Sequence, residues 1–552
     1  MCDNHNDHPD KDHLSSEDNA VNRRGKCLEH GEEHKLDHAK WSRRNFLLTS
    51  GLFTAGSALM FGNSRLQALA KSPMFSAINA ADNERILVII NLGGGNDGLN
   101  TIVPRFNDTY YSLRPNIAIQ EAQMFALSPE FGMPNTMLSL DPMWQDGNMA
   151  VVHSVAYPSQ DYSHFRSTDI WMSGSNSDEY LNTGWVGRFL DQEYPAFGTT
   201  PANFPVGLQV GYQSSLLFSG SDFQMGLTIN NLTEFYQIAL TGELYDTNIN
   251  DECSYGQELL FMRQTANNTV RYAQSIKDAY DNASFYGAYP NNYLAYQLAL
   301  VGRLIKGRLG TRVYMVEIGG FDTHANQNIY HPGLMNEIAT AVSAFYNDLT
   351  EAGYNQDVLT ITFSEFGRTS GENGSIGTDH GQAAPLLVFG GNVNGGFKGQ
   401  FGEISPVSYY DQAYTTDFRS VYATILKDWF CIQPIIVDAI MGRHFDTVPD
   451  LLPECTPSLG SNDLAVLLGH NPSLTQANTI LIKYAILKRG QVRLQILNTA
   501  GQVKATLVNT SLEPNSYTFP FKASDYGLPT GEYLYRLETG GKAYSRKIRV
   551  LS

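Results

Sequence analysis

Thiols are scarce in this chain. Five cysteines are spread over 552 residues and none forms a C-x-x-C pair, which excludes a thiolate zinc site of the usual spacing. Apolar runs are short as well, below the 18 or so residues that a membrane-spanning helix needs. The glycine-rich stretch "LGGGND" lacks the G-x-G-x-x-G spacing of a dinucleotide fold, and an aspartate stands where that fold opens a helix. Basic residues are thin where they would matter for nucleic acid: residues 71–470 carry 18 Lys+Arg against 41 Asp+Glu, while residues 471–552 carry 11 against 4. A middle region that acidic repels a phosphate backbone. Its acid either keeps the protein soluble or in part holds cations. The length itself calls for two folded units and a removable segment.

That segment is legible at the start. The first 40 residues hold six of the 13 histidines and almost no large apolar side chains, so they cannot bury a core. A His-rich tract can bind metal, but the residues after it make the segment read more simply as a leader. Arg43 and Arg44 precede a modestly apolar run and then Ala68-Leu69-Ala70, the order of a charged n-region, an h-region and a small-residue cleavage site. The arginine pair points to twin-arginine export, a route that carries folded proteins and suits one that loads a metal first. The expected path is periplasm, then cell surface or extracellular space, with no stable membrane span after processing. Cleavage after Ala70 removes Cys2 and Cys27 and leaves Cys253, Cys431 and Cys455, of which Cys431 and Cys455 are the closer pair.

Residues 471–552 alternate apolar and polar side chains in short runs such as "QVRLQILNT" and "GEYLYRLET", separated by Gly, Asn or Pro turns. This predicts a small all-β, immunoglobulin-like sandwich, joined by a Pro/Ser/Gly-rich linker at 456–470 to an α/β domain at 71–455, with the signal peptide at 1–70. The opening "NPS", the run "VRLQILNTAGQVKATL" and the terminal "LPTGEYLYRLETGGKAYSRKIRVL" resemble the C-terminal sorting domain of type IX secretion substrates. The resemblance implies the type IX machinery as a partner, after the twin-arginine machinery that the leader implies. An ordinary accessory domain, sugar-binding for instance, is the plain alternative.

Four apolar runs of the middle region end in polar clusters. "ILVIINLGGGND" delivers Asp97, "VYMVEIGGFDTH" delivers Asp322 and His324, "VLTITFSEFGRT" delivers Glu365 and Arg368, and "AVVHSVAYPSQDYSHF" reaches Ser163 and His164. Runs of this kind without alternation predict strands buried on both faces, hence a mainly parallel sheet flanked by helices, with ligands beyond the carboxyl ends of the strands. A fifth run reverses the order and places Asp379 and His380 just before a strand. Any one of these residues, taken alone, is more often a cap or a satisfied polar group than a ligand. Together, oxygen and imidazole donors without thiolate favour Zn, Mn, Mg or Ca.

The stretches "LVIINLGGGNDGLNTIVPRF", "YSHFRSTDIWMSG", "EIGGFDTHANQ", "FSEFGRT" and "GTDHGQAAPLLVFGGNVNGG" resemble the signatures of domain-of-unknown-function family 1501, grouped with the alkaline phosphatase and sulfatase superfamily. That resemblance implies an alkaline phosphatase-like α/β fold holding one or two divalent ions, Zn or Mg first. It implies Asp97, Asp322, His324, Glu365, Asp379 and His380 as the metal set and Ser163 as the nucleophile. His164 would be a general acid or a structural histidine, and Arg368, with Arg166 as its competitor, an anion-binding fork. The chain departs from the superfamily at Phe366, where a histidine ligand is usual. One reading is therefore an exported metal-dependent hydrolase of phosphate or sulfate esters; the other is a non-catalytic surface protein that keeps the fold and binds glycans or envelope proteins.

Overall fold

The computed structural model describes residues 85–550, apart from 195–196, 198–201, 212–213, 222, 231–236, 238–240, 243–244, 247–253, 284–286, 405–411, 456–464, 473–478 and 499–500. The signal peptide expected at 1–70, most of the expected linker, and Cys253 lie outside the described residues. Cys431 and Cys455 form a disulfide, with Cα atoms 5.3 Å apart.

The apolar runs become strands of one sheet: β1 (Ile86–Gly93), β2 (Met149–Ala156), β3 (Gly207–Val210), β4 (Gly226–Ile229), β5 (Val313–Gly319), β6 (Val358–Ser364), β7 (Ala384–Phe389), β8 (Gly396–Lys398) and β9 (Thr416–Asp417). Their order is β8-β2-β7-β6-β1-β5-β3-β4, with β9 paired to β2. All pairings are parallel except those of β7, which runs antiparallel to both β2 and β6. Asn91 on β1 pairs with Glu317 on β5 and Phe363 on β6, so these central strands finish level and the residues after them emerge along one edge. Ala384, at the start of β7, pairs with Val155 at the end of β2. The single reversed strand therefore presents what precedes it at that same edge.

Helices cover both faces, as a sheet with two buried faces requires. Alternation sends Leu87 and Ile89 one way and Val88 and Ile90 the other. On the first face lie α1 (His164–Ser173), α2 (Trp185–Glu193), α6 (Phe418–Thr424) and α7 (Pro434–Met441), whose Trp171, Trp185, Phe189, Tyr422 and Ile440 join Leu87, Ile89, Met315 and Ile361 in one apolar core. On the second lie α4 (Tyr293–Lys306) and α5 (Gln327–Ala352). Tyr346 of α5 donates to the Phe389 carbonyl at 2.7 Å, and Gln297 of α4 donates to the Glu317 carbonyl at 2.7 Å.

The described residues of 85–230 and 278–550 belong to one compact unit, which holds the whole sheet; those of 237–277 belong to a second, smaller one. Most of α3 (Ser254–Asn282) lies in the smaller unit, where Asn267 bonds both backbone polar groups of Tyr245. At the C-terminus, β10 (Ala465–Pro472), β11 (Thr479–Ile486) and β14 (Asn515–Lys522) form one antiparallel sheet; β12 (Gly490–Asn498), β13 (Val503–Leu512), β15 (Gly531–Thr539) and β16 (Lys542–Val550) form another. Ile482, Ile486, Leu494, Phe521 and Leu537 make their shared core. This β unit begins at Ala465, inside the stretch read from sequence as linker. Among the described residues no helix is long and apolar enough to cross a membrane.

His153 on β2 sits among Phe131, Phe397 and Phe401, stacked on Phe397 at 4.7 Å between centroids. Burial lowers its pKa from 6.5 to about 4, so the folded chain keeps it neutral while the unfolded chain protonates it. The unfolded state then binds more protons between those two values, and the stability due to a neutral His153 is lost as pH falls through that window. His153→Phe should reduce the stability lost between pH 7 and 4.5 by about 2–3 kcal/mol, read from urea midpoints at each pH. An acid limb unchanged by the substitution would contradict this.

Candidate metal centre

The glycines after β1 bring backbone close to the site. Gly94 has φ 119° and Gly95 φ 81°, and a Cβ would drive Gly94 into the backbone of Phe321–Asp322 and Gly95 into the Phe366 ring. Only glycine allows both the conformation and the approach. The Gly94 N–H donates to Glu365 Oε1 at 2.7 Å, and Arg368 Nε donates to the Gly95 carbonyl at 2.7 Å.

Three histidines from three parts of the chain converge above this loop. His164 opens α1, His324 follows β5, and His380 precedes β7. Each has its Nδ1 against an oxygen that can only accept: Glu365 Oε1 for His164 at 2.9 Å, Asp379 Oδ1 for His324 at 2.9 Å, and the Tyr162 carbonyl for His380 at 2.9 Å. With Nδ1 donating, the neutral form of each ring has its lone pair on Nε2, and these Nε2 atoms turn toward Asp322. His324 Nε2 is 3.1 Å and His380 Nε2 3.3 Å from Asp322 Oδ1; His164 Nε2 is 3.6 Å from Oδ2. His324 Nε2 and His380 Nε2 stand 3.0 Å apart. Ligand atoms of His164, Asp322 and His380 all lie within 4.8 Å of one another. Lone pairs facing one another at this range are repulsive unless a cation or a proton sits between them. A histidine tied through its outer nitrogen to a carboxylate or carbonyl is how metal-binding imidazoles are oriented, so the donor set fits a divalent ion.

The electrostatics agree. Burial works to raise the Asp322 pKa, but Arg368, donating at 2.7 Å, together with His324 and His380, holds it below the ordinary carboxylate value. The hydrogen bond from His324, aided by Asn373, lowers that of Asp379. Burial lowers the pKa of His380, which favours its neutral form.

Several residues expected in the metal set lie elsewhere. Asp97 is fully buried and its Oδ2 accepts from Arg114 Nη1 at 2.7 Å and from Gln327. Burial works to raise its pKa, and the charge and hydrogen bond of Arg114, with His331 and Gln327, outweigh it. The carboxylate is therefore charged but committed to a guanidinium beneath the site. Glu365 and Asp379 serve as acceptors for His164 and His324, one layer out. His164, read as an acid or a structural residue, stands within the donor group.

Arg368 is buried and not an open fork: it binds the carbonyls of Gly94, Gly95, Phe321 and Thr378 besides Asp322. Arg166 binds the carbonyls of Asn176, Ser177 and Glu179 and lies 3.9 Å over the Tyr180 ring. Ser163 is exposed at the head of α1, its N–H donating to Asp161 Oδ1 at 2.8 Å. It neighbours His164 on the rim. Phe366, read from sequence as unable to ligate, packs its ring 4.4 Å from His380 and 4.9 Å from His164 and forms an apolar wall.

Sequence reasoning missed Arg114, Gln327 and Asn373. Asn373 Nδ2 donates to Asp379 Oδ1 at 3.1 Å and to the His324 carbonyl at 2.9 Å, while its Oδ1 accepts from Ser375 and Gly377. An Asn in a Gly/Ser loop signals a turn, but nothing local shows what its amide reaches.

The family model described as "Protein of unknown function (DUF1501)" matches residues 237–446. No curated protein matches the sequence. Among solved structures, the alkaline phosphatase from the Antarctic bacterium TAB5 is 12% identical with a TM-score of 0.25, covering 57% of this chain and 94% of that one. The PsFucS1 sulfatase from Pseudoalteromonas sp. is 10% identical with a TM-score of 0.28, covering 84% and 92%. A protein of the alkaline phosphatase superfamily from Vibrio parahaemolyticus is 10% identical with a TM-score of 0.26, covering 87% and 89%. Overlap this slight says nothing about the site.

Arg114→Leu should destabilise the protein by about 3–5 kcal/mol in urea, because it leaves Asp97 charged, buried and uncompensated. Adding Asp97→Leu to it should recover most of that loss. A single variant as stable as the parent would show that the pair does not carry the loop.

Proposed function

We propose that the protein is a divalent-cation-dependent hydrolase of tetrahedral oxyanion esters, phosphate or sulfate, using one ion held by His164, His324, His380 and Asp322. The observation that carries this reading is the convergence of three Nε2 atoms on Asp322 while each Nδ1 lies against an acceptor. Zn or Mg, with Mn or Ca as further options, suits nitrogen and oxygen donors without thiolate. The sequence resemblance to the phosphatase and sulfatase superfamily supports the ester class.

Such an ion, when bound, polarises an oxyanion ester and lowers the pKa of a coordinated hydroxyl. The chain's own groups arrange the rest. Glu365 and Asp379 keep the protons of His164 and His324 on Nδ1. Arg368 holds Asp322 against the loop of Gly94 and Gly95. Ser163, exposed beside His164, is the hydroxyl we assign as nucleophile, on the sequence resemblance. A second reading, a non-catalytic binding protein on the same scaffold, is favoured by the withdrawal of Asp97 and Arg368 from the open site.

Metal titration tests the first reading. Zn2+ should bind the full-length protein at one equivalent; His380→Ala should abolish binding. Asp379→Asn or Glu365→Gln should weaken it about 10- to 100-fold, and Asp97→Asn should leave the stoichiometry unchanged. Binding unaffected by His380→Ala would end the proposal; tight binding with no turnover of any aryl phosphate or sulfate would favour the second reading.

We also propose that the chain is exported through the twin-arginine route and displayed at the surface by its C-terminal β unit. The leader motif around Arg43 and Arg44 and the terminal signature support this. Arg43→Lys with Arg44→Lys should leave the protein in the cytoplasm by cell fractionation; normal export of that variant would remove the assignment.

A further inference from the structure

Charge balance at the site narrows the substrate. Three carboxylates stand in or against the donor group: Asp322 within it, Glu365 on His164 and Asp379 on His324. One guanidinium, Arg368, opposes them, and its nitrogens already face Asp322 and four carbonyls. Among the described residues the other arginines of this end of the sheet are likewise anchored: Arg114 on Asp97, Asn100 and the carbonyls of Thr369 and Ser370, Arg166 on residues 176–179. Imidazoles that ligate an ion are neutral, so with the ion bound the chain's own groups sum formally to two negative charges and a divalent ion brings the site to neutrality. Sites that take dianionic phosphate ordinarily add a bidentate guanidinium or a second cation. Among the described residues, Arg368, Arg114 and Arg166 are all engaged elsewhere and supply no such fork.

Resting on the ester-hydrolase reading, we infer that the site takes esters whose reacting oxyanion carries a single negative charge, sulfate monoesters or phosphodiesters, and disfavours dianionic phosphate monoesters. A dianion would restore two uncompensated charges in a half-buried pocket, where like charges interact strongly. A monoanion leaves one, shared with the ion it approaches. Asp379 is the lever, since it is the outermost of the three carboxylates, and Asp379→Asn removes a charge while keeping an oxygen that accepts from His324 Nδ1.

The test uses full-length protein saturated with Zn2+ at pH 8.5 and two hydrolytically inert probes, phenylphosphonate (a dianion) and its monomethyl ester (a monoanion), titrated calorimetrically. The ester should bind at least as tightly as the dianion, although free divalent ions prefer the dianion. Asp379→Asn should tighten the dianion at least fivefold and the ester much less. Turnover of 4-nitrophenyl sulfate and of bis(4-nitrophenyl) phosphate, each compared with 4-nitrophenyl phosphate, separates the two monoanion sources; at least one should exceed the monoester tenfold in kcat/KM. Tenfold tighter binding of phenylphosphonate, or faster turnover of the phosphate monoester, overturns the inference while leaving the hydrolase reading intact. If metal binds but neither probe does and no ester is turned over, the hydrolase reading falls and the inference with it.

Discussion

An imidazole presents its lone pair inward only if something outside holds the proton on its other nitrogen. That constraint organises this site. Glu365, Asp379 and the Tyr162 carbonyl each take one Nδ1–H, and each arrives from a different place: after β6, before β7 and before α1. Three such acceptors can meet three histidines because β1, β5 and β6 end level and β7 starts where β2 ends. The level edge of the sheet thereby becomes a statement about tautomers.

Much of this edge was legible in the sequence. Unalternating Val/Ile/Leu runs made β1, β5 and β6 readable as strands buried on both faces, and the polar residues after them as lying at their carboxyl ends. The pair Asp379 and His380, which precedes its strand, looked like an exception to that rule. It still reaches the same edge, because β7 is the one strand of that sheet that runs against the others, so its amino end lies beside their carboxyl ends. Strand direction was the missing quantity, and a short apolar run does not state it.

What stayed hidden was pairing. Asp97 follows β1 as Asp322 follows β5, and the two look equivalent as text. Asp97 instead turns inward to Arg114, 17 residues on, and to Gln327, 230 residues on; no spacing rule links them. Arg368 misled in the same way. A lone arginine after a strand suggests an anion fork, yet its donors close on the carbonyls of two loops, a use of the guanidinium that only the glycine-tight approach of Gly94 and Gly95 permits.

Phe366 connects these corrections. Its ring lies against His380 and His164 and sits where a Cβ on Gly95 would have to go, so it wedges the glycine loop against the imidazoles. On one side of that loop the charge of Asp97 is met by Arg114, and on the other Glu365 accepts from His164 and from the Gly94 backbone N–H. Both carboxylates are buried, and each is compatible with a folded interior because it has protein partners of its own.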